Sequence, residues 1–190
     1  MRLVEMEIAR HDWKSMLCGC GASAEHLARD LLQVAGWGAR EEAGGVRQEA
    51  SHVSLEEHVW SPVVLWEPAP AVASVALAAL ADDVAPTARE WFLDQLQYVV
   101  AGEGTDTESA RRGHDLPEMC RSLALHGLWL LYEEVMSNRS LGAVGAAFEI
   151  LTVVEPDRAR LQRVREIAAD WLPVCCRTGL CDEDLGVVAR

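Results

Sequence analysis

Basic charge is what this chain has least of. Its 17 lysines and arginines face 30 aspartates and glutamates, for a formal net charge of −13, and Lys14 is the only lysine. A field of that sign repels a phosphate backbone, which argues against nucleic acid as a general partner and favours one carrying a basic patch. Using arginine almost alone, beside abundant Ala, Val and Gly, is the mark of high-GC bacterial coding and carries no mechanism. Export and membrane signals are missing too. Met1–Asp12 mixes acids, bases and apolar residues without the separate basic and apolar regions of a signal peptide. The apolar run Ala69–Ala81 falls short of the ~20 residues that a bilayer span needs. The expectation is a cytoplasmic protein.

The motifs of familiar chemistry are also absent. No GxSxG, P-loop, GxGxxG or HExxH occurs, and none of the six cysteines (18, 20, 120, 175, 176 and 181) forms a CxxC pair. In a reducing compartment these thiols stay unbridged. Cys18-Gly-Cys20 and Cys175-Cys176 with Cys181 would hold a metal only if the chain ends met, and neither spacing is that of a structural zinc motif. From spacing alone the expectation is no metal and no cofactor.

What the chain does contain is helical periodicity. The size, 190 residues, fits one substantial core. Asp12 opens a short turn. Ser23 precedes a stripe of Ala24, Leu27, Ala28, Leu31, Leu32 and Ala35 at i, i+3, i+4 spacing. Gly36 and Gly38 stop it, and the charged, Gly-rich 39–48 stretch reads as a loop. Ser54-Leu-Glu-Glu57 has the form of a capping box, predicting a helix through His58 and Val59 that fails at Pro62. Val63–Leu65 reads as a buried connection between helices.

Pro68-Ala-Pro70 launches a helix with Val72, Val75, Ala76, Ala79 and Leu80 on one face. Asp82-Asp83 turn the chain, and Pro86 starts a second helix with Trp91, Phe92, Leu96, Val99 and Val100. A polar interval at 102–114 leads to Asp115, the cap of a helix running from Cys120 to Val135. Ser140 caps a partner helix carrying Val144, Phe148 and Leu151, and Pro156-Asp157 open a last helix with Leu161, Val164 and Trp171, ended by Pro173. This predicts an all-α fold of about seven helices over 1–190, with 174–190 as a loose tail or a short terminal helix.

Two successive helical hairpins at roughly 45–50-residue spacing are the pattern of HEAT or armadillo arrays. The words His58-Val-Trp60, Trp66-Glu-Pro-Ala-Pro-Ala-Val72, Ala76–Asp82 and Cys120–Tyr132 resemble a group of bacterial HEAT-like repeat proteins. The resemblance implies a short α-solenoid of stacked hairpins whose concave face binds other macromolecules, in some members as immunity or regulatory partners. A branch of HEAT-like proteins handles alkylated DNA with basic faces, and the charge here argues against that branch.

The expected function is therefore a non-enzymatic protein-binding or regulatory module. Trp37, Trp60 and Trp66, at helix ends and connections, are the candidate partner-binding residues, because tryptophan is enriched at interaction hot spots. Trp91, Trp129 and Trp171 fall on or beside helix stripes and read as core. The alternative is a small enzyme or small-molecule-binding protein of secondary metabolism, with an inter-helix pocket in which His58, Glu67 and His126 do acid–base work.

Overall fold

The computed structural model describes residues 2–38 and 53–180. The chain is all-α. Its helices are α1 (Leu3–Arg10), α2 (Glu25–Ala35), α3 (Ala69–Leu80), α4 (Pro86–Ala101), α5 (Thr107–Arg111), α6 (Leu116–His126), α7 (Leu128–Ser137), α8 (Leu141–Val154), α9 (Arg158–Ile167) and α10 (Val174–Thr178). None of the described helices is long and apolar enough to cross a membrane. The 39–48 stretch expected as a loop and Cys181 lie outside the described residues, as does the tail beyond 180.

Local chemistry sets most boundaries. Asp115 accepts from the Glu118 N–H at 3.0 Å, Ser140 from Ala143 at 3.0 Å and Asp157 from Arg160 at 3.0 Å, each satisfying an amide that the first helical turn leaves without a partner. Pro86 occupies the first turn of α4, where its missing N–H costs nothing. The hairpins α3/α4 and α7/α8 each bury a common seam, and α4 packs on α8 to join them. Phe92, Leu93, Leu96, Phe148, Ile150 and Leu151 fill that joint and are almost completely buried.

Arg89 crosses the same joint. Its guanidinium donates to the Leu80 carbonyl at the end of α3 (2.7 Å) and to the fully buried Glu134 of α7 (2.5 Å). Arg139 reaches Glu134 as well, at 2.8 Å. A buried carboxylate is tolerated here because two cations face it. The N-terminal helices are tied on by end-capping. Asp82 accepts from the Val4 N–H at 3.1 Å, and Arg2 donates to the Ala35 carbonyl at 2.6 Å.

Several expectations are corrected. Leu3–Arg10 is a helix, with only Val4 and Ile8 buried, one turn apart. Asp12 opens the short turn expected, but Ala24 in place of Ser23 precedes α2. The capping-box segment forms no helix, because Glu57 sits at φ +62° and the chain turns back on itself. Val64–Leu65 is a short strand (β2) paired antiparallel with Trp60–Ser61 (β1), so the inter-helix connection is a hairpin. Its amides continue pairing: Leu65 donates to the Gly104 carbonyl at 2.7 Å. The single helix expected up to Val135 is broken at Gly127, where a Cβ would collide with the Leu77 side chain of α3. Trp129, expected in the core, is 70% exposed, with the Arg160 guanidinium 5.4 Å from its ring.

Glu155, at the end of α8, is nearly fully buried and has three sets of donors. It accepts from Arg160 through both oxygens (2.9 and 2.8 Å), from the Asp157 N–H (2.7 Å) and from the Tyr132 hydroxyl. Burial alone would raise its pKa, but these hydrogen bonds outweigh burial and hold it at about 2, against an ordinary 4.5. A depressed carboxylate stabilises the fold fully above its unfolded value, and that contribution is lost as pH falls from about 4.5 through about 2. Thermal melts of wild type and Glu155→Gln from pH 7 to pH 2 are expected to differ most at neutral pH and to converge across that window. A gap independent of pH would contradict this.

Candidate metal centre

The segment between α1 and α2 is a tight hairpin. Leu17 and Ser23 form an antiparallel bridge, Cys18 N–H donates to the Ala22 carbonyl (2.9 Å), and Gly21 N–H closes the turn onto the Cys18 carbonyl (2.9 Å). Gly21 ends the turn at φ +81°, a conformation that glycine adopts without strain. Gly19 is required for a different reason. A Cβ there would run into the Glu57 carbonyl and lie 2.6 Å from the Trp66 ring. The tip of the hairpin is thus pressed against the 55–59 turn, and Gly19 N–H donates to the His58 carbonyl at 3.0 Å.

This contact brings four donors together. The Cys18 sulfur lies 3.2 Å from His58 Nδ1 and 3.8 Å from His26 Nε2, and the two ring nitrogens are 3.1 Å apart. Cys20 joins them, and all four ligand atoms fall within 4.8 Å of one another. A tetrahedral zinc site with ordinary Zn–S and Zn–N bonds has S···N edges of about 3.5 Å and N···N edges of about 3.3 Å. The observed separations are those edges to within a few tenths of an ångström.

The outer contacts suit thiolates and neutral imidazoles. His26 Nδ1 is 3.2 Å from the Ser23 carbonyl, which fixes the proton on Nδ1 and turns the Nε2 lone pair to the centre. Burial pushes the Cys18 thiol up to about 11, opposed by hydrogen bonds from the Cys20 and Gly19 amides. The exposed Cys20 is drawn down, chiefly by the Ala22 amide. A divalent cation would reverse the burial penalty on Cys18, because the charge it buries is then neutralised.

A shallow groove of about 570 Å³ opens beside Cys18, with Ser15, Leu17, Trp66, Glu67 and, at the end of α5, Arg111 and Arg112 on its walls. Glu67 accepts from the Leu17 N–H (2.7 Å) and from Arg112 (2.8 Å). It serves as a strut between the hairpin and α5. Of the residues nominated for acid–base work, His58 lies in the four-donor cluster and Glu67 in the groove wall. His126 is exposed at the end of α6, and no hydrogen bond or ring contact among the described residues joins it to either.

The nominated tryptophans separate in the same way. Trp37 packs edge-on against Trp91 of α4, 6.1 Å between ring centroids. Trp60 stacks on Tyr98 at 4.0 Å and donates to Gln95 at 3.1 Å. Only Trp66 borders the groove. His26 escaped sequence reasoning. The signal available was Cys-x-Cys-Gly followed by a histidine five residues on, and its fourth member, His58, lies 32 residues beyond that histidine. Comparison with family models, with curated proteins and with solved structures finds no match to this chain.

The two glycines of the hairpin separate steric from conformational demand. Gly19→Ala is expected to destabilise by about 1–3 kcal/mol through overpacking against Glu57 and Trp66. Gly21→Ala, with open space around its Cβ, carries only the left-handed backbone cost of about 1–2 kcal/mol. Urea denaturation of the metal-loaded proteins checks the order, and a larger loss for Gly21→Ala would contradict the docking described here.

Proposed function

We propose that this chain is a zinc-centred helical interaction module. Cys18, Cys20, His26 and His58 hold one structural Zn²⁺, and the folded surface binds another protein without turning over a substrate. The carrying observation is the convergence of Cys18, His26 and His58 at tetrahedral-edge distances, with the Cys20 thiol within 4.8 Å of all three. Zinc is the first-row ion that this S₂N₂ set selects. This replaces the absence of metal expected from cysteine spacing.

Four protein donors complete the tetrahedron and leave no position for a reacting water, which is the hallmark of a structural and not a catalytic site. The metal ties the 16–24 hairpin and the first turn of α2 to the 55–59 turn, beside the buried Leu27, Leu55 and Val59. A HEAT-like stacking of the α3/α4 and α7/α8 hairpins belongs to the same reading, as does a reducing cytoplasm that keeps the thiols available. The face offered to the partner is the groove beside the centre, where Trp66 meets the Glu67–Arg112 pair, and a basic patch on the partner would answer the net charge of −13.

Metal analysis of the reduced protein after gel filtration tests the first half. One zinc per chain is expected in the wild type and none in Cys18→Ser or His58→Ala, with a lower melting temperature in both. Failure of the wild type to retain a stoichiometric zinc would overturn the centre. Affinity capture from lysate of the source organism tests the second half. A stoichiometric protein held by the wild type and lost with Trp66→Ala, at unchanged zinc content, is expected. A retained small molecule without any protein would favour the enzyme or small-molecule reading instead.

A further inference from the structure

A second cluster of soft ligands sits at the other end of the fold. Pro173 starts α10 and packs against Gly145 of α8, where a Cβ would lie 3.0 Å from the proline ring. Glu149 is one turn further along α8, four residues on, and so lies on the same face. The docking of α10 therefore places Cys175 and Cys176 over Glu149. The two sulfurs are 3.9 Å apart, Cys176 Sγ is 3.8 Å from Glu149 Oε1, and the three ligand atoms lie within 4.8 Å of one another.

The surroundings orient the carboxylate. The Gln97 amide of α4 donates to Glu149 Oε2 and leaves Oε1 toward the sulfurs. Cys176 is fully buried, while Cys175 and Glu149 are half-buried, so the cluster has an inner wall and an open side. An S···S edge of about 3.8 Å is what two thiolates span on a tetrahedral zinc-sized ion. Adjacent cysteines that merely pack would need no carboxylate turned toward them by a neighbouring helix.

We infer that Glu149, Cys175 and Cys176 form a second site, separate from the first, for a thiophilic divalent cation of the zinc class. Binding exchanges the two thiol protons, released to solvent, for two metal–sulfur bonds and one metal–oxygen bond. Three protein donors leave a fourth position, on the open side, for water or another small ligand. The site is accordingly weaker and more exchangeable than the four-donor centre.

Titration of the full-length reduced protein with Cd²⁺, followed by thiolate-to-metal charge-transfer absorbance, tests this. The wild type is expected to bind two equivalents in two phases. Cys175→Ser/Cys176→Ser keeps the first phase and loses the second, and Glu149→Gln keeps both but weakens the second by roughly tenfold or more. Cys18→Ser loses the tight phase and retains the weak one, so the two sites fail independently. Saturation of the wild type at one equivalent, or two equivalents in the double-serine variant, would overturn the inference. If the double variant is unstable, alkylation decides. Two equivalents of Cd²⁺ should protect Cys175 and Cys176 in the wild type, and full modification of both in their presence would equally overturn it.

Discussion

Two imidazole nitrogens and a buried thiol face one another at 3.1–3.8 Å, and the proposed metal centre rests on that convergence. His26 already donates its Nδ1 proton to the Ser23 carbonyl, so its Nε2 brings a lone pair to the cluster. A single cation satisfies all four donors at once, and with two thiolates the assembly is electrically neutral. In the proposed centre such an ion bridges residues 16–26 and 55–59. A glycine-tipped hairpin, a helix start and a turn with a left-handed glutamate are pressed together over the buried Ala24, Leu27, Leu55 and Val59.

The remainder of the fold is held by ordinary means. The α3/α4 and α7/α8 hairpins bury Phe92 and Phe148 and their aliphatic neighbours across one joint. Among the described residues the fully buried carboxylates are matched by arginines, Arg89 and Arg139 around Glu134 and Arg160 around Glu155. The helical body thus adjoins an N-terminal corner that carries the proposed metal centre, with the Trp66 groove at their boundary.

The helical body was legible in the sequence because its signals are local. Asp115, Ser140 and Asp157 cap the helices they precede, Pro86 opens α4 in its first turn, and Gly102 follows it where Leu65 leaves no room for a Cβ. Ser54–Glu57 misled, since a capping box promises a helix only if enough residues follow to propagate it, and Pro62 leaves too few. Trp129 sits beside the apolar stripe of α7, but rotation of that helix after the Gly127 break turns it outward over Arg160. The centre was half legible. Cys18 and Cys20 were visible as a pair, whereas His26 and His58 meet them only through tertiary contact between a hairpin and a turn distant in sequence. A spacing rule cannot anticipate such a contact.

The most direct test of this account is the zinc K-edge X-ray absorption spectrum of the protein loaded with one equivalent of metal. The account predicts a four-coordinate shell of two sulfurs at about 2.3 Å and two imidazole nitrogens at about 2.0–2.1 Å. A six-coordinate oxygen-rich shell, or one lacking either the sulfur or the imidazole scattering, would contradict it.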